Sequence, residues 1–297
     1  MASNVTILST GRKLHHNSSF FREPFVFKYL PRYLKKRFPD ATSNGVQINL
    51  GACSQGEDAW ALAMVLENDD DLKIEESPIN ASDINEGVVN IAKSGILSFL
   101  ARTLTKAREV VPNIEEFFGS MPNNDSNDIE RQELLDEYRR LLEQAGFKKK
   151  TGSGEAAKYV SVTAEQARLN MLYRVSEGLR RQVEFKAADF KREFNTDKFD
   201  KPCLVIFRNA LQHFNAEERE EFANALFSSL EPGSSLVIGS GDIQKDVPRK
   251  LFDAGFEPSN PKYTRQCFQI SGPIIKAKDP KALIFEKNRG LKSESGG

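Results

Sequence analysis

Residues 51–56 form a short loop between two glycines, and two carboxylates follow it directly. Apolar residues 46–50 predict a strand before this loop, and residues 59–66 predict a helix after it. Open α/β sheets hold nucleotide-like ligands on such a strand, loop and helix. Glu57 and Asp58 suit the positive end of a helix dipole, but they would repel a phosphate bound to the same amides. We therefore expect an adenosine-like ligand without a phosphate, and the sulfonium S-adenosylmethionine fits that description.

A further acidic residue ends the next predicted strand, residues 78–83. In such a sheet, an acid at the end of the second strand accepts the two ribose hydroxyls. Asp83 lies farther from Gly51 than the usual ~20 residues, and the acidic stretch 67–76 explains the excess as an enlarged loop. Asp83 could instead cap the helix predicted over residues 86–93. The order and spacing of the loop and the acid favour ligand binding.

The remaining chain predicts the elements that must position these residues. Helices are predicted over residues 23–38, 129–144, 216–230 and 247–254. Strands are predicted over residues 183–187, 203–207, 235–239, 265–270 and 282–286. This order predicts an α/β fold, a Rossmann-like sheet with helices on both faces, a helical insertion and a C-terminal antiparallel strand pair.

The same patterns predict how the chain is organised. Residues 1–47 are expected to form an N-terminal arm and a helix that packs on the main domain, residues 48–290. Within that domain, the highly charged residues 104–160 are interpreted as a solvated insertion. Residues 291–297 have a low-complexity composition and predict a disordered tail.

The composition excludes several classes of protein. Lys plus Arg equal Asp plus Glu at 42 each, so no basic excess indicates a nucleic acid or an anionic membrane as partner. No apolar run approaches the ~20 residues that span a bilayer, and the N-terminus lacks the pattern of a secretory signal. Three cysteines without C-x-x-C spacing disfavour a disulfide framework or a zinc site and indicate a cytoplasmic protein. Cys53 is interpreted as a small residue that permits a tight turn, rather than as a reactive thiol.

Four segments, in this order, resemble the CheR family of chemotaxis-receptor glutamate methyltransferases. They are residues 18–23 (SSFFRE), 51–63 (GACSQGEDAWALA), 81–84 (ASDI) and 207–214 (FRNALQHF). The family's versions read T-x-F-F-R-E, G-C-S-x-G-E-E-P-Y-S-x-A, A-(S/T)-D-I and C-R-N-x-x-x-Y-F. This combination is specific, because a generic methyltransferase shares only the glycine loop and the acid.

The resemblance implies a class I methyltransferase domain that binds S-adenosylmethionine and releases S-adenosylhomocysteine. Carried over by position, the residues around the cofactor would be Ser18, Arg22, Gly51, Ala52, Glu57, Asp83, Asp189, Phe190, Arg208 and Asn209. Two residues would act in catalysis. Arg22 would orient the acceptor carboxylate by paired hydrogen bonds, and His213 stands where the family has a tyrosine beside the methyl group. The implied acceptor is a protein glutamate, with the cytoplasmic domain of a chemoreceptor as the candidate partner.

The sequence departs from the family pattern at positions that would face the acceptor. His16 and Ser18 replace an asparagine and a threonine, and His213 replaces the tyrosine. The family's N-terminal helical domain is expected to be missing, because fewer than twenty residues precede the Phe-Phe-Arg motif. These departures leave other hypotheses open: a methyltransferase for a different acceptor, or a sensor or scaffold that keeps the cofactor pocket without catalysis. A metal site built from the histidines is not expected.

Overall fold

The computed structural model describes residues 5–7, 13–15, 19–39, 45–72, 78–120, 129–146, 171–189, 199–243, 246–264 and 279–288. Ser18, Phe190, the strand predicted over residues 265–270 and the predicted tail lie outside these residues. Among the described helices, none is long and apolar enough to cross a membrane.

The N-terminal part consists of a small hairpin and one long helix. Strands β1 (Val5–Ile7) and β2 (Lys13–His15) pair antiparallel, and α1 (Pro24–Arg37) follows them. One face of α1 is buried at Val26, Leu30 and Leu34, which follow the helical period. The residues of this face belong to the core cluster of the main domain.

The main domain then follows in three parts. The first half contains β3 (Ile48–Gly51), α2 (Glu57–Glu67), β4 (Ile79–Asp83) and α3 (Glu86–Ser94). The intervening part contains β5 (Ile96–Phe99), α4 (Ala101–Arg108), β6 (Phe118–Ser120), α5 (Ile129–Gln144), β7 (Met171–Val175) and α6 (Glu177–Arg180). The second half contains β8 (Val183–Ala187), β9 (Leu204–Phe207), α7 (Ala216–Ser229), β10 (Ser235–Ile238), α8 (Ser240–Ile243), α9 (Val247–Asp253), β11 (Glu257–Pro258) and β12 (Ile284–Glu286).

Seven strands form the main sheet in the order β11-β12-β10-β9-β3-β4-β8. Strands β10, β9, β3, β4 and β8 run parallel, whereas β12 runs antiparallel to both β10 and β11. Strands β3 and β9 are buried along their whole length, as expected of central parallel strands with covered faces. The predicted Rossmann-like α/β fold is confirmed. Its C-terminal antiparallel pair consists of β11 and β12. Strand β12 lies within the strand predicted over residues 282–286, whereas β11 was not predicted, and the other expected strand, residues 265–270, lies outside the described residues.

The strand order places a crevice at the centre of the sheet. From β3 the chain moves through α2 to β4 and through α3 to β8, and later it moves the opposite way from β9 through α7 to β10. Right-handed crossovers in opposite directions put these helices on opposite faces. The switch between β3 and β9 leaves a crevice at the carboxyl ends of the strands, where ligands of such sheets bind.

The part between α3 and β8 forms a second, smaller sheet, which the sequence analysis missed. Its strands run antiparallel in the order β5-β7-β6. Aromatic stacking ties it to the arm: Phe99 of β5 stacks on Phe20 of the arm and, within the sheet, on Tyr173 of β7, each with ring centroids 4.8 Å apart. The small sheet therefore carries part of the arm that precedes α1.

Helix α5 has the predicted bounds, but the solvated-insertion interpretation is wrong for it. Leu134, Leu135 and Leu142 are buried and pack with Val88 and Ile91 of α3 in a separate apolar cluster. Apart from Arg131, which is buried, the charged side chains of α5 occupy exposed or half-buried positions. The high charge of the sequence therefore reflects one face of an amphipathic helix.

Candidate active site

The loop between β3 and α2 is a tight turn with unusual backbone conformations. Ala52 and Ser54 have φ angles of 54° and 52°, in the left-handed region. Gly56 has a φ of 86°, and a Cβ built on it would lie 2.9 Å from the Cβ of Ala92. Both its conformation and its close packing require glycine at this position. The loop is therefore a fixed structure at the mouth of the crevice.

Asp83 braces this loop from the end of β4. Its Oδ2 accepts a hydrogen bond from the Ser54 N–H at 2.9 Å, and its Oδ1 accepts one from the Asn85 N–H at 3.0 Å. The cap of α3 is Asn85, whose side chain accepts from the Gly87 N–H at 2.9 Å. Asp83 is thus not the cap of the next helix. Each carboxylate oxygen keeps further acceptor capacity, because it can accept more than one hydrogen bond.

The loop between β3 and α2 holds a buried thiol, Cys53, close to negatively charged side chains. Cys53 is buried, and its N–H donates to the Ser82 carbonyl at 2.9 Å. Burial, together with the nearby charges of Asp83 and Glu57, raises the pKa of the Cys53 thiol well above its ordinary value. The thiol therefore stays protonated, consistent with a packing role. The same shift means that negative charge acts inside this loop, which suits a cationic ligand better than a phosphate.

Arg208, at the end of β9, joins three parts of the chain, and its side chain is only 2 % exposed. Its Nη1 donates to Asp58 Oδ2 at 2.9 Å, and its Nη2 donates to Glu23 Oε2 at 2.8 Å and to the Arg22 carbonyl at 2.6 Å. The guanidinium carbon also lies 4.9 Å from the centre of the Phe27 ring. This cation therefore fixes the arm that carries Arg22 against α2 and the end of β9.

The charges in this cluster shift one another's pKa. Burial raises the pKa of Asp58, although Arg208 opposes the rise. Burial also acts to raise the pKa of Glu23, but the charge of Arg208 and the hydrogen bonds from Arg208 and Ser240 outweigh it and leave that pKa below its ordinary value. Burial acts to lower the pKa of Arg208, and the two carboxylates reverse the effect and raise it. The guanidinium and Glu23 are thus held as charged partners inside the protein.

The turn after β9 is tied to the turn after β10. Asn209 has a φ of 58°, and its Oδ1 accepts from the Gly241 N–H at 3.0 Å. In return, Oδ2 of the buried Asp242 accepts from the N–H groups of Asn209 at 2.6 Å and Gly239 at 2.9 Å. Asp242 Oδ1 accepts from the Gln212 N–H at 3.0 Å. The sequence analysis missed Asp242, because nothing local in the sequence marks a carboxylate that binds another turn.

The arm reaches the same turn from the N-terminal side. Glu23 Oε1 accepts a hydrogen bond from the Ser240 N–H at 2.9 Å and another from the Ser240 hydroxyl. Phe20 and Phe21 are buried and anchor the arm. All five non-glycine residues with left-handed φ in the described part of the chain lie in these segments: Phe21, Glu23, Ala52, Ser54 and Asn209. Strained backbone collects at functional sites, so its clustering here points to the crevice.

The structure brings most of the predicted site residues to one edge of the main sheet. Those at or beside the carboxyl ends of β3, β4 and β9 are Arg22, Gly51, Ala52, Glu57, Asp83, Arg208 and Asn209. Asp189 follows β8 closely, and the neighbouring Ala188 N–H donates to the Asp83 carbonyl at 2.9 Å. His213 is exposed and ends a 3₁₀ turn, Leu211–His213. Their contacts with a cofactor stay predictions.

Comparison with known protein families identifies the family to which the chain belongs. The sequence model described as "CheR methyltransferase, SAM binding domain" matches residues 16–123 and 149–254. No curated protein matches the sequence.

Solved structures with a similar arrangement include three methyltransferases. Magnesium protoporphyrin IX methyltransferase from Synechocystis PCC 6803 with bound SAM is 15 % identical, with 79 % of this chain and 70 % of that chain covered and a TM-score of 0.34. The S-adenosylmethionine-dependent methyltransferase SibL in its apo form is 12 % identical, with 89 % and 56 % covered and a TM-score of 0.35. StiE O-MT residues 961–1257 are 10 % identical, with 88 % and 74 % covered and a TM-score of 0.30.

These TM-scores are too low to assign the chain to a family. The family match spans more than half of the chain and does so without them. The chain belongs to the CheR methyltransferase family and is a methyltransferase that uses S-adenosylmethionine as its cofactor.

Proposed function

We propose that the protein transfers the methyl group of S-adenosylmethionine to the side-chain carboxylate of a glutamate in a protein, with the cytoplasmic domain of a chemoreceptor as the leading candidate. The observation that carries this proposal is the position of the arm. The Arg22 carbonyl is bonded to the buried Arg208 guanidinium at 2.6 Å, so Arg22 is held beside the crevice at the end of β9. Arginine suits a carboxylate acceptor because its planar fork can donate two parallel hydrogen bonds.

The crevice residues fit the cofactor by their chemistry. Asp83 has acceptor capacity for the ribose hydroxyls, and the negative charge of Glu57 suits a cationic ligand. We assign Gly51 and Ala52 to the turn that the ligand approaches. By position, Asp189 and Phe190 would contact the adenine, and Ser18 and Arg22 would cover the methionine end. Arg208 and Asn209 would shape the wall after β9.

Methyl transfer to a carboxylate requires little of the protein beyond positioning the two reactants. When bound, S-adenosylmethionine supplies an activated methyl group on a sulfonium. A glutamate side chain is ionised near pH 7, so no general base is needed for it. The protein's own task is to orient the carboxylate through Arg22 and to exclude water around it. The exposed His213 would donate one hydrogen bond there, or act as a base if the acceptor is not a carboxylate.

A sensor or scaffold without catalysis is the second candidate, and one contact favours it. The Tyr138 hydroxyl of α5 donates to Gln55 Oε1 in the glycine loop at 2.8 Å. Helix α5 therefore contacts the glycine loop, and a partner protein that binds the charged face of α5 would bind the same helix. His213, at the position of the family's tyrosine, is the departure that would accompany lost catalysis.

Two measurements test the proposed function. Calorimetry with S-adenosylhomocysteine tests the pocket, and methyl transfer to receptor cytoplasmic fragments, scored as base-labile methyl esters, tests the acceptor. We expect Arg22→Ala to abolish transfer while leaving cofactor affinity within a few-fold, because Arg22 acts on the acceptor. The exposed Arg32→Ala on α1 is the matched control and should transfer normally.

Other outcomes would decide against this function. Stable N-methyl products would reject the carboxylate as the acceptor. Tight binding of S-adenosylhomocysteine without methyl transfer to any protein in a cell extract, together with activity gained by His213→Tyr, would favour the sensor.

A further inference from the structure

Two turns at the carboxyl edge of the sheet, residues 208–214 and 239–243, are cross-linked in both directions. Asp242 reaches from the second turn to the N–H groups of Asn209 and Gln212, at 2.6 and 3.0 Å. The Asn209 side chain reaches back to the Gly241 N–H at 3.0 Å. Because β9 and β10 are neighbouring strands, these bonds set how far apart their turns lie.

The burial of the Asp242 carboxylate needs a physical explanation. The residue is fully buried, and the hydrogen bonds described for its carboxylate all come from backbone N–H groups, those of Asn209, Gln212 and Gly239. Burial of a carboxylate is unfavourable, and here it raises the pKa of Asp242 to about 6 although the three amides oppose the rise. What a carboxylate offers in exchange is two acceptor oxygens that can receive three N–H groups from two directions.

The residues held in this way are those next to the reaction site. Gln212 directly precedes His213 within one 3₁₀ turn. Asn209 is kept in a left-handed conformation, with a φ of 58°. The second turn also bonds the arm, since Ser240 donates to Glu23, the residue that follows Arg22. One buried carboxylate thus stands at the junction of the segments that carry Arg22, Asn209 and His213.

We propose that Asp242 is a positioning residue: it sets the turn that carries Asn209 and His213 against the end of β10 and so fixes the crevice before a ligand binds. Asp242 acts through backbone amides and touches neither cofactor nor acceptor in this scheme. The inference depends on the proposed methyl-transfer function, where Asn209 and His213 are assigned to the site.

Asp242→Asn tests the proposal with little change in size. The amide keeps one acceptor oxygen but presents an NH2 group that cannot accept from an amide N–H. We expect S-adenosylhomocysteine to bind about ten-fold more weakly, and kcat/KM for methyl transfer to fall about 100-fold, because misplacement by 1 Å can cost that much. The control Asp253→Asn removes an exposed carboxylate that pairs with Arg249 on α9, and it should stay within about two-fold of wild type.

Hydrogen exchange separates positioning from general stability. In Asp242→Asn we expect faster amide exchange in residues 208–214, while peptides from β3 and β4 keep their wild-type protection. A merely structural role predicts instead that protection falls across the whole sheet, in step with the lost affinity.

A second variant covers the case in which Asp242→Asn does not fold. Gly241→Ala leaves the carboxylate in place, but its Cβ would lie 2.7 Å from Gln212 Oε1 and 2.9 Å from Asn209 Oδ1, so these side chains must move and the bond from the Gly241 N–H to Asn209 is disturbed. It should show the same loss of affinity and the same local exchange.

If the wild type binds S-adenosylhomocysteine and both variants bind and turn over as it does, Asp242 is not a positioning residue and the proposed function is untouched. If the wild type does not bind it, the proposed function fails and this proposal fails with it.

Discussion

Arg208 shows how much one residue can organise at this edge of the sheet. Its side chain is 2 % exposed, and it bonds two acidic side chains and one carbonyl from two other segments, the arm and α2. A buried ion pair gains little net energy, because desolvation offsets most of the attraction. Its removal is nevertheless costly, since the partner charges stay behind without compensation. The contribution of Arg208 to stability is therefore set by Glu23 and Asp58.

Arg208→Met should lower the free energy of unfolding by about 3–5 kcal/mol, because it leaves the carboxylates of Glu23 and Asp58 buried without a cation. Arg208→Lys keeps the charge but not the fork, so its loss should be smaller. Urea denaturation of each variant gives the values. Arg139→Met, which breaks an exposed pair with Asp136 on α5, should cost less than about 1 kcal/mol. Equal losses in Arg208→Met and Arg139→Met would contradict the central place of Arg208.

Single residues could be found from the sequence where their partners lie nearby or where a turn marks them. Gly51, Gly56 and Asp83 mark the ends of predicted strands and the turn between them, and in the structure Asp83 bonds the Ser54 N–H of the loop between the two glycines. Glu23 and Asp242 escaped because their partners are distant: Ser240 lies 217 residues after Glu23, and Gln212 lies 30 residues before Asp242. Such pairs become neighbours only once β9 and β10 are paired.

At the scale of elements, the contact between α3 and α5 links the inserted region to the glycine loop, residues 51–56. The start of α3 meets the end of α5 so closely that a Cβ on Gly87 would lie 2.4 Å from the Cα of Ala145. About two helical turns earlier on α5, Tyr138 is buried and bonds Gln55. Helix α5 is thus packed into the fold at a point that touches the glycine loop.

Gly87→Ala should push the end of α5 away from α3 and lower the free energy of unfolding by about 1–3 kcal/mol, the usual range for overpacking. Cofactor affinity should fall as well, since Gln55 would lose its Tyr138 partner. Chemical denaturation and calorimetry with S-adenosylhomocysteine measure the two effects. Gly178→Ala on α6 is the matched control, because a Cβ there meets nothing within 4 Å. If Gly178→Ala is as unstable as Gly87→Ala, the close contact is not the cause.

Elements with a strong local period were predictable and short ones were not. The bounds of α5 and β8 agree with the prediction, because helical spacing in one and alternation in the other are visible within the segment. The small sheet was missed because its strands pair across a long stretch of chain: β5 ends at Phe99, whereas its partner β7 begins at Met171. In the described chain, β11 has only two residues, too few for any period.

At the scale of the whole molecule, a formal net charge of zero conceals an uneven distribution of acids. Three of them, Glu23, Asp58 and Asp242, are gathered near Arg208 at one end of the sheet. Their pKa values move in different directions, downwards for Glu23 and upwards for the other two. Each carboxylate therefore changes the free energy of unfolding with pH in the direction set by its own pKa shift.

Asp242 should make the protein less stable as the pH rises through the acid range. Burial raises its pKa from 3.8 to about 6, so the folded state holds this proton more tightly than the unfolded state. The resulting stability is complete below about pH 4 and is lost as the pH rises through about 6. The free energy of unfolding of wild type, relative to Asp242→Asn, should fall by about 1–3 kcal/mol between pH 4 and pH 7. Urea denaturation at several pH values measures it, and a constant difference would contradict the shift. The opposite effect of Glu23 is present in both proteins and differs between them only through its repulsion with Asp242.

The bond between Glu23 and Ser240 also sets an order of events during synthesis. The two residues are 217 positions apart, so the arm leaves the ribosome long before its partner exists. Chain segments fold as they emerge, and contacts between distant positions close last. Until residue 240 has been made, neither Glu23 nor Arg22 has its final place. A nascent chain therefore cannot place Arg22 for methyl transfer until residue 240 has left the ribosome.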